Sequence, residues 1–187
     1  MKKNSIQVVL VDTNDMKIGL MEKLAAHKGK GVLHRAISVL LYRKQEKNTE
    51  ILLQQRGTKK PLWPLFWSNT ICTHPIDGES TMDCAVRRLK EELGIHIDKR
   101  KIRYFFKLSY QARYNNLYSE HELDSVFVGE WQGDVHKDID EVHDTRWIEM
   151  QELLKDMKEH PQKYTPWFHL LIKNNRIQEL FTGSPRT

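Results

Sequence analysis

The sequence predicts an α+β fold: a mixed or mostly antiparallel sheet flanked by helices, one of them inserted in the middle of the strands. Three observations carry this expectation. Short apolar runs with β-branched or alternating character outnumber helical patterns, as at residues 33–42, 51–56 and 102–114. Mid-chain, residues 79–93 switch to helical spacing, with Met82, Ala85, Val86, Leu89 and Leu93 on one stripe and Gly94 as the stop. At 187 residues, 39% hydrophobic and 29% charged, the chain suits one folded domain with its own core.

Taken in order, residues 6–12 read as a first strand, turned by Thr13-Asn14-Asp15 into a hairpin partner at 17–20. Residues 22–27 fit one helical turn, stopped at Lys28-Gly29-Lys30-Gly31, a loop without the spacing or the Ser/Thr of a phosphate-binding loop. The strand at 33–42 turns through polar residues 43–50 into 51–56. A basic loop follows at 57–61, and Trp63-Pro64 interrupts regular structure. A long strand at 102–114, a turn at Asn115-Asn116 and a returning strand at 120–130 come next. A short strand near 145–148 and helices at 150–159 and 166–181 complete the chain. There is no repeat or linker. The expected organisation is a single domain over 1–187, with a core at about 33–168, N-terminal strands and a turn in 1–32, and a C-terminal helix and tail in 169–187.

Composition narrows the function. No apolar run approaches the ~18 residues of a membrane span, and Met1-Lys2-Lys3 leads into a strand, not a secretory signal. The two cysteines, Cys72 and Cys84, have no framework spacing, so a reducing cytoplasm is expected; Cys84 lies off the centre of the helix stripe and reads as structural. The net charge of +5 is dispersed among acids with no Lys/Arg block, which suits a small anionic ligand as well as nucleic acid, so charge alone does not choose between them; no nucleic-acid partner is expected once the motifs are read.

Three constellations point to chemistry. Glu120 and Glu122 flank His121 on a strand and share a face, so they are either a solvated edge or carboxylates gathered around a cation. His27, His34 and His74 lie in three elements with no local ligand spacing. Each is a packed histidine or a ligand, and a mixed imidazole–carboxylate shell suits Mn²⁺, Mg²⁺ or Zn²⁺. Third, Glu79 followed by Arg87-Arg88-Leu89-Lys90-Glu91-Glu92-Leu93-Gly94 resembles the Nudix box, G-x5-E-x7-R-E-U-x-E-E-x-G-U. It departs twice, with Thr73 at the first glycine and Arg88 at a metal-binding glutamate, which speaks against hydrolysis.

The ordered set of motifs resembles the type I isopentenyl-diphosphate isomerases over about residues 21–168. It comprises Glu22-Lys23 with His27, Leu33-His34-Arg35-Ala36, Leu52-Leu53-Gln54-Gln55-Arg56, Lys60 with Trp63-Pro64, and Trp67-Ser68-Asn69-Thr70-Ile71-Cys72-Thr73-His74-Pro75. Arg88, Glu92, Tyr110, Glu120-His121-Glu122 and Thr165-Pro166-Trp167-Phe168 complete it. The resemblance implies a Nudix-like fold and a 1,3-proton shift converting isopentenyl diphosphate into dimethylallyl diphosphate. It implies Cys72 as acid–base group on one face of the allylic unit, Glu122 with Tyr110 on the other, and Trp167 against the cationic carbon. It further implies one divalent metal on His27, His34, His74, Glu120 and Glu122. A Mg²⁺ near Glu92 would carry the diphosphate, with Lys23, Arg56, Lys60 and Arg88 around its oxygens. A prenyl diphosphate is the expected partner, and a monomer or weak homodimer the expected state. The rival readings are a Nudix-type diphosphate hydrolase and a non-catalytic RNA-binding module.

Overall fold

The structure, a computed structural model, describes residues 6–46 and 48–182. The start Met1-Lys2-Lys3 and the tail from 183, part of the leader and C-terminal expectations, lie outside the described residues. Gln7–Val11 (β1) and Lys17–Glu22 (β2) form the antiparallel N-terminal hairpin, and Lys23–Ala26 (α1) adds the single helical turn, its first amides capped by Glu22. His34–Lys44 (β3) then becomes the centre of a nine-stranded sheet. It pairs with β1 at Leu10, with the hairpin strand Thr49–Arg56 (β4), and with Ile71–Thr73 (β6). On its other side it runs parallel to Ser119–Glu130 (β8), which pairs antiparallel with Ile102–Arg113 (β7). Both faces of β3 are covered, which explains why Ala36, Ile37, Val39, Leu40 and Leu41 are all fully buried and its apolar run is nearly continuous.

Strands β3 and β4 pair only next to their turn, at 42–44 and 49–51, and then part. Beyond that point β4 pairs with Trp67–Ser68 (β5) and Val142–Glu149 (β9). The residues of the 67–73 stretch fill the gap between the parting strands. Thr70 Oγ1 donates to Leu52 O at 2.6 Å and accepts from Leu41 N at 2.8 Å, while Asn69 Nδ2 donates to Ile71 O at 2.5 Å. Buried backbone groups without a ladder partner are satisfied in this way.

Thr81–Leu93 (α2) covers one face of the sheet. Ala85, Leu89 and Leu93 pack against Ile37, Val39, Leu41 and Phe127. The helix starts two residues later than the periodicity suggested, because Ser80 caps it by accepting from Asp83 N, and it ends at Gly94 with φ 64. Cys84, off the centre of the stripe, is fully buried in this core beside Ala85 and Leu89, in keeping with a structural thiol.

The opposite face is closed by Met150–Glu159 (α3), Pro166–Lys173 (α4) and Asn175–Thr182 (α5) over Leu40, Ile51, Leu53 and Val126. The single helix expected at 166–181 is broken at Asn174, whose extended ψ of 125 ends α4 and whose Oδ1 accepts from Arg176 N to restart the next helix. The strand expected at 145–148 is longer, reaching Val142–Glu149 because it pairs with the whole of β4.

Candidate active site

Strand periodicity assembles the site. In register across three strands, His34 on β3 lies beside Glu122 on β8, which lies beside Tyr110 on β7. Cys72 on β6 pairs with Ser38, which shares the His34 face of β3. His74 follows just after β6, and His27 caps the C-terminal end of α1, where Ser119 N donates to its carbonyl at 2.8 Å.

The three imidazoles and two carboxylates meet with one ligand atom from each of His27, His34, His74, Glu120 and Glu122, all within 4.8 Å of one another. His27 Nδ1 donates to Lys23 O at 2.6 Å and His34 Nδ1 to Val32 O at 2.7 Å, so both rings turn Nε2 inward. Inside the cluster, Nε2 of His34 and His74 stand 3.1 Å apart, His74 Nε2 lies 2.8 Å from Glu122 Oε1, and His27 Nε2 lies 2.7 Å from Glu120 Oε2. That last oxygen is buried and lacks hydrogen-bond geometry, and cis ligands on an octahedral ion at ~2.1 Å stand ~3 Å apart. The donor set therefore fits a divalent cation. Burial and the Glu122 charge push Glu120 up, whereas for Glu122 burial is outweighed by His34 and His74, which hold it well below the usual carboxylate range.

Glu122 also lines the cavity and meets a buried tyrosine. Tyr110 Oη donates to its Oε2 at 2.5 Å. Burial and the Glu122 charge push the Tyr110 phenol well up, and burial with Glu122 and Asp124 does the same for the Cys72 thiol, so both carry their protons at neutral pH. Trp167 closes the cavity. Its Nε1 donates to Ser68 Oγ at 2.9 Å, and its ring lies edge-on to Trp63 at 5.3 Å and 6.2 Å from Tyr110.

Cys72, Glu122 and Trp167 face a cavity of about 630 Å³, with His27, His74 and Glu120 in the same wall. Lys23, Arg56, Lys60 and Arg88 line it too, so the four anticipated anion-binding side chains are brought together. Burial, with Lys60 and Arg56 nearby, pulls Lys23 down from its ordinary value, a sign of crowded positive charge. Arg56 has a second task. Its guanidinium donates to Leu62 O and Trp63 O, within a turn where Trp63 and Leu65 take left-handed φ values of 46 and 64, and lies 5.1 Å over the Trp167 ring.

Glu92 lies outside the cavity wall but is fully buried, with Oε1 accepting from Arg88 Nε at 2.9 Å and Oε2 left without a protein partner. The remaining box acids are spoken for: Glu79 accepts from Arg87 Nε at 2.6 Å, and Glu91 from Arg87 Nη1 at 2.9 Å and Arg88 Nη1 at 3.1 Å. Sequence reasoning missed Ser68 and Glu141. Ser68 had a signal in its place within the central stretch. Glu141, which accepts from Lys60, had none beyond its charge.

The chain matches the NUDIX domain family over residues 32–168. Solved structures share the fold: one from Deinococcus radiodurans has a TM-score of 0.70 at 16% identity, covering 88% of this chain and 96% of that one. The NUDIX domain of Shewanella oneidensis NrtR, solved with ADP ribose, has a TM-score of 0.59 at 16% identity, covering 79% and 86%. Curated relatives are more specific. The isopentenyl-diphosphate Delta-isomerase of Burkholderia multivorans is 40% identical over 180 residues, 96% of this chain and 98% of the relative. The Delta-isomerase 2 of Aromatoleum aromaticum is 37% identical over 161 residues, 86% and 82%. That of Cereibacter sphaeroides is 41% identical over 155 residues, 81% and 83%. On these matches the chain belongs to the isopentenyl-diphosphate Delta-isomerase family of the Nudix fold.

Proposed function

We propose that this protein interconverts isopentenyl diphosphate and dimethylallyl diphosphate by a 1,3-allylic proton shift through a carbocation-like state, in isoprenoid biosynthesis. The observation that carries the reading is Glu122, which belongs at once to the five-ligand cluster and, through Tyr110, to a buried proton-handling wall that shares its cavity with Cys72.

The shift adds a proton to the terminal alkene carbon and removes one from the carbon two positions away, with no net change. It needs one donor and one acceptor on opposite faces. The Cys72 thiol and the Glu122 carboxylate, with Tyr110 holding the latter, supply that pair. Trp167, fixed by Ser68, offers its ring face to the tertiary cation, worth about 2 kcal/mol in a site shielded from water. Lys23, Arg56, Lys60 and Arg88 anchor the diphosphate at the mouth.

His27, His34, His74, Glu120 and Glu122 would hold a divalent ion, Mn²⁺ or Mg²⁺ if octahedral and Zn²⁺ if four-coordinate, whose charge would fix Glu122 and tune its proton affinity. A Mg²⁺ travelling with the diphosphate would be held with help from Glu92, which stands outside the cavity wall with its buried Oε2 lacking a protein partner. The catalytic unit is one domain over 1–187 with its core at about 33–168, close to the family match at 32–168. Every group comes from one chain, which suits a monomer or weak homodimer, and the free thiols Cys72 and Cys84 suit a reducing cytoplasm. No helix among the described residues is long and apolar enough to cross a membrane.

Hydrolysis is the rival reaction, and the box arginines argue against it, since Arg87 and Arg88 neutralise Glu79, Glu91 and one oxygen of Glu92. Proton and phosphorus NMR of isopentenyl diphosphate with the protein and Mg²⁺ decide between them. Dimethylallyl diphosphate is expected; a monophosphate or free phosphate in its place refutes the reading.

A further inference from the structure

The cationic mouth of the cavity carries a carboxylate that a diphosphate seat does not call for. Glu141 Oε2 accepts from Lys60 Nζ and lies 3.4 Å from Arg88 Nη2. Lys60 and Arg88 are two of the side chains assigned to the diphosphate, so the inference rests on that reading.

The backbone fixes this contact in place. Gly57 N donates to Glu141 O at 2.9 Å, and a Cβ on Gly57 would stand 2.7 Å from that oxygen, so glycine alone permits the approach. On the other side, His136 N and Asp138 N donate to the carbonyls of Leu93 and Glu92 at the end of α2, each at 2.8 Å. The segment bearing Glu141 is thereby tied to both elements that supply the cations, the 57–60 loop and α2.

Lys60 and Arg88 are only 15% and 17% exposed at their side chains; Arg88 also pairs with Glu91 and Glu92, and Glu141 is the carboxylate that bridges it to Lys60. An entering ligand has to take over both cations from Glu141. A diphosphate brings more charge and more acceptor oxygens than one carboxylate, whereas a ligand of low charge gains little by the exchange.

We propose that Glu141 is a specificity-determining residue of the diphosphate seat, a built-in carboxylate that holds the Lys60–Arg88 position in the empty pocket and yields it to diphosphates in preference to less charged phosphates. Isothermal titration of inorganic diphosphate and inorganic phosphate, without added Mg²⁺, compares the wild type with Glu141→Gln. The variant is expected to bind diphosphate roughly tenfold more tightly, since one charge-assisted competitor is removed, and phosphate to gain at least as much. Its empty form melts at lower temperature and recovers with diphosphate. Glu141→Asp keeps the charge but withdraws it by one methylene, and moves affinity the same way by less. Unchanged or weaker diphosphate binding in both variants, with the wild type binding normally, overturns the proposal alone. A wild type that binds no diphosphate overturns the seat itself and this proposal with it.

Discussion

Ser68→Ala separates the placement of the Trp167 ring from its presence. Ser68 Oγ is fully buried, accepts from Trp167 Nε1 at 2.9 Å, donates to Asn69 Oδ1 at 2.9 Å and meets Thr165 Oγ1 at 3.0 Å. Alanine leaves the indole N–H buried with no acceptor, which costs about 1–3 kcal/mol, and the lost bond to Asn69 adds about 1 kcal/mol. A total of about 3 kcal/mol in a chain of this size lowers Tm by roughly 6–12 °C. A ring free to tilt loses part of a cation–π contact of about 2 kcal/mol; losing half of it slows kcat about fivefold. KM stays nearly constant because no cation at the mouth is touched. Calorimetry and steady-state isomerisation read both numbers. Unchanged Tm and kcat, or a raised KM with kcat intact, would refute this reasoning.

Two further outcomes are expected. His74→Ala removes a ligand from the cluster, so affinity for the divalent ion falls by more than the ~10–100-fold that outer-shell changes cost; elemental analysis after dialysis should find about one ion per wild-type chain and little in the variant. Asp15, in a turn with φ 65 that asparagine also tolerates, accepts from Arg35 Nε and Lys107 Nζ, each at 2.7 Å. Burial raises its pKa, but the two cations together outweigh burial and hold it below the ordinary value of 3.8. A depressed folded value means that the stabilisation is present above the unfolded pKa and is lost as pH falls through the folded one. Asp15→Asn therefore lowers stability by about 1 kcal/mol at pH 7 in denaturant titrations, and the gap closes toward pH 3; a gap that widens on acidification contradicts the network.

What the sequence made legible was whatever depends on periodicity. Alternation put Glu120 and Glu122 on one face, and helical spacing located α2 and its glycine stop. The cluster itself was not readable from spacing, because His27, His34 and His74 meet only once the end of α1 docks on the start of β8 and β3 pairs with both β8 and β6; the family resemblance supplied what local pattern lacked. The short strands at 67–68 and 71–73 carry no strand-length pattern of their own, because their pairing with β4 and β3 defines them. Arg56 looked like an anion ligand, yet it also braces a strained turn that no propensity announces. Glu141 was invisible because its partner Lys60 lies 81 positions away.

Deuterium shows whether the Cys72 thiol and the Glu122 carboxylate move protons on opposite faces of one alkene. In deuterated water the wild type should form dimethylallyl diphosphate carrying deuterium in the new methyl group, followed by proton NMR. Cys72→Ala and Glu122→Gln, folded by circular dichroism, should give neither product nor exchange. Full turnover in Cys72→Ala, or product formed without solvent deuterium, would contradict the account.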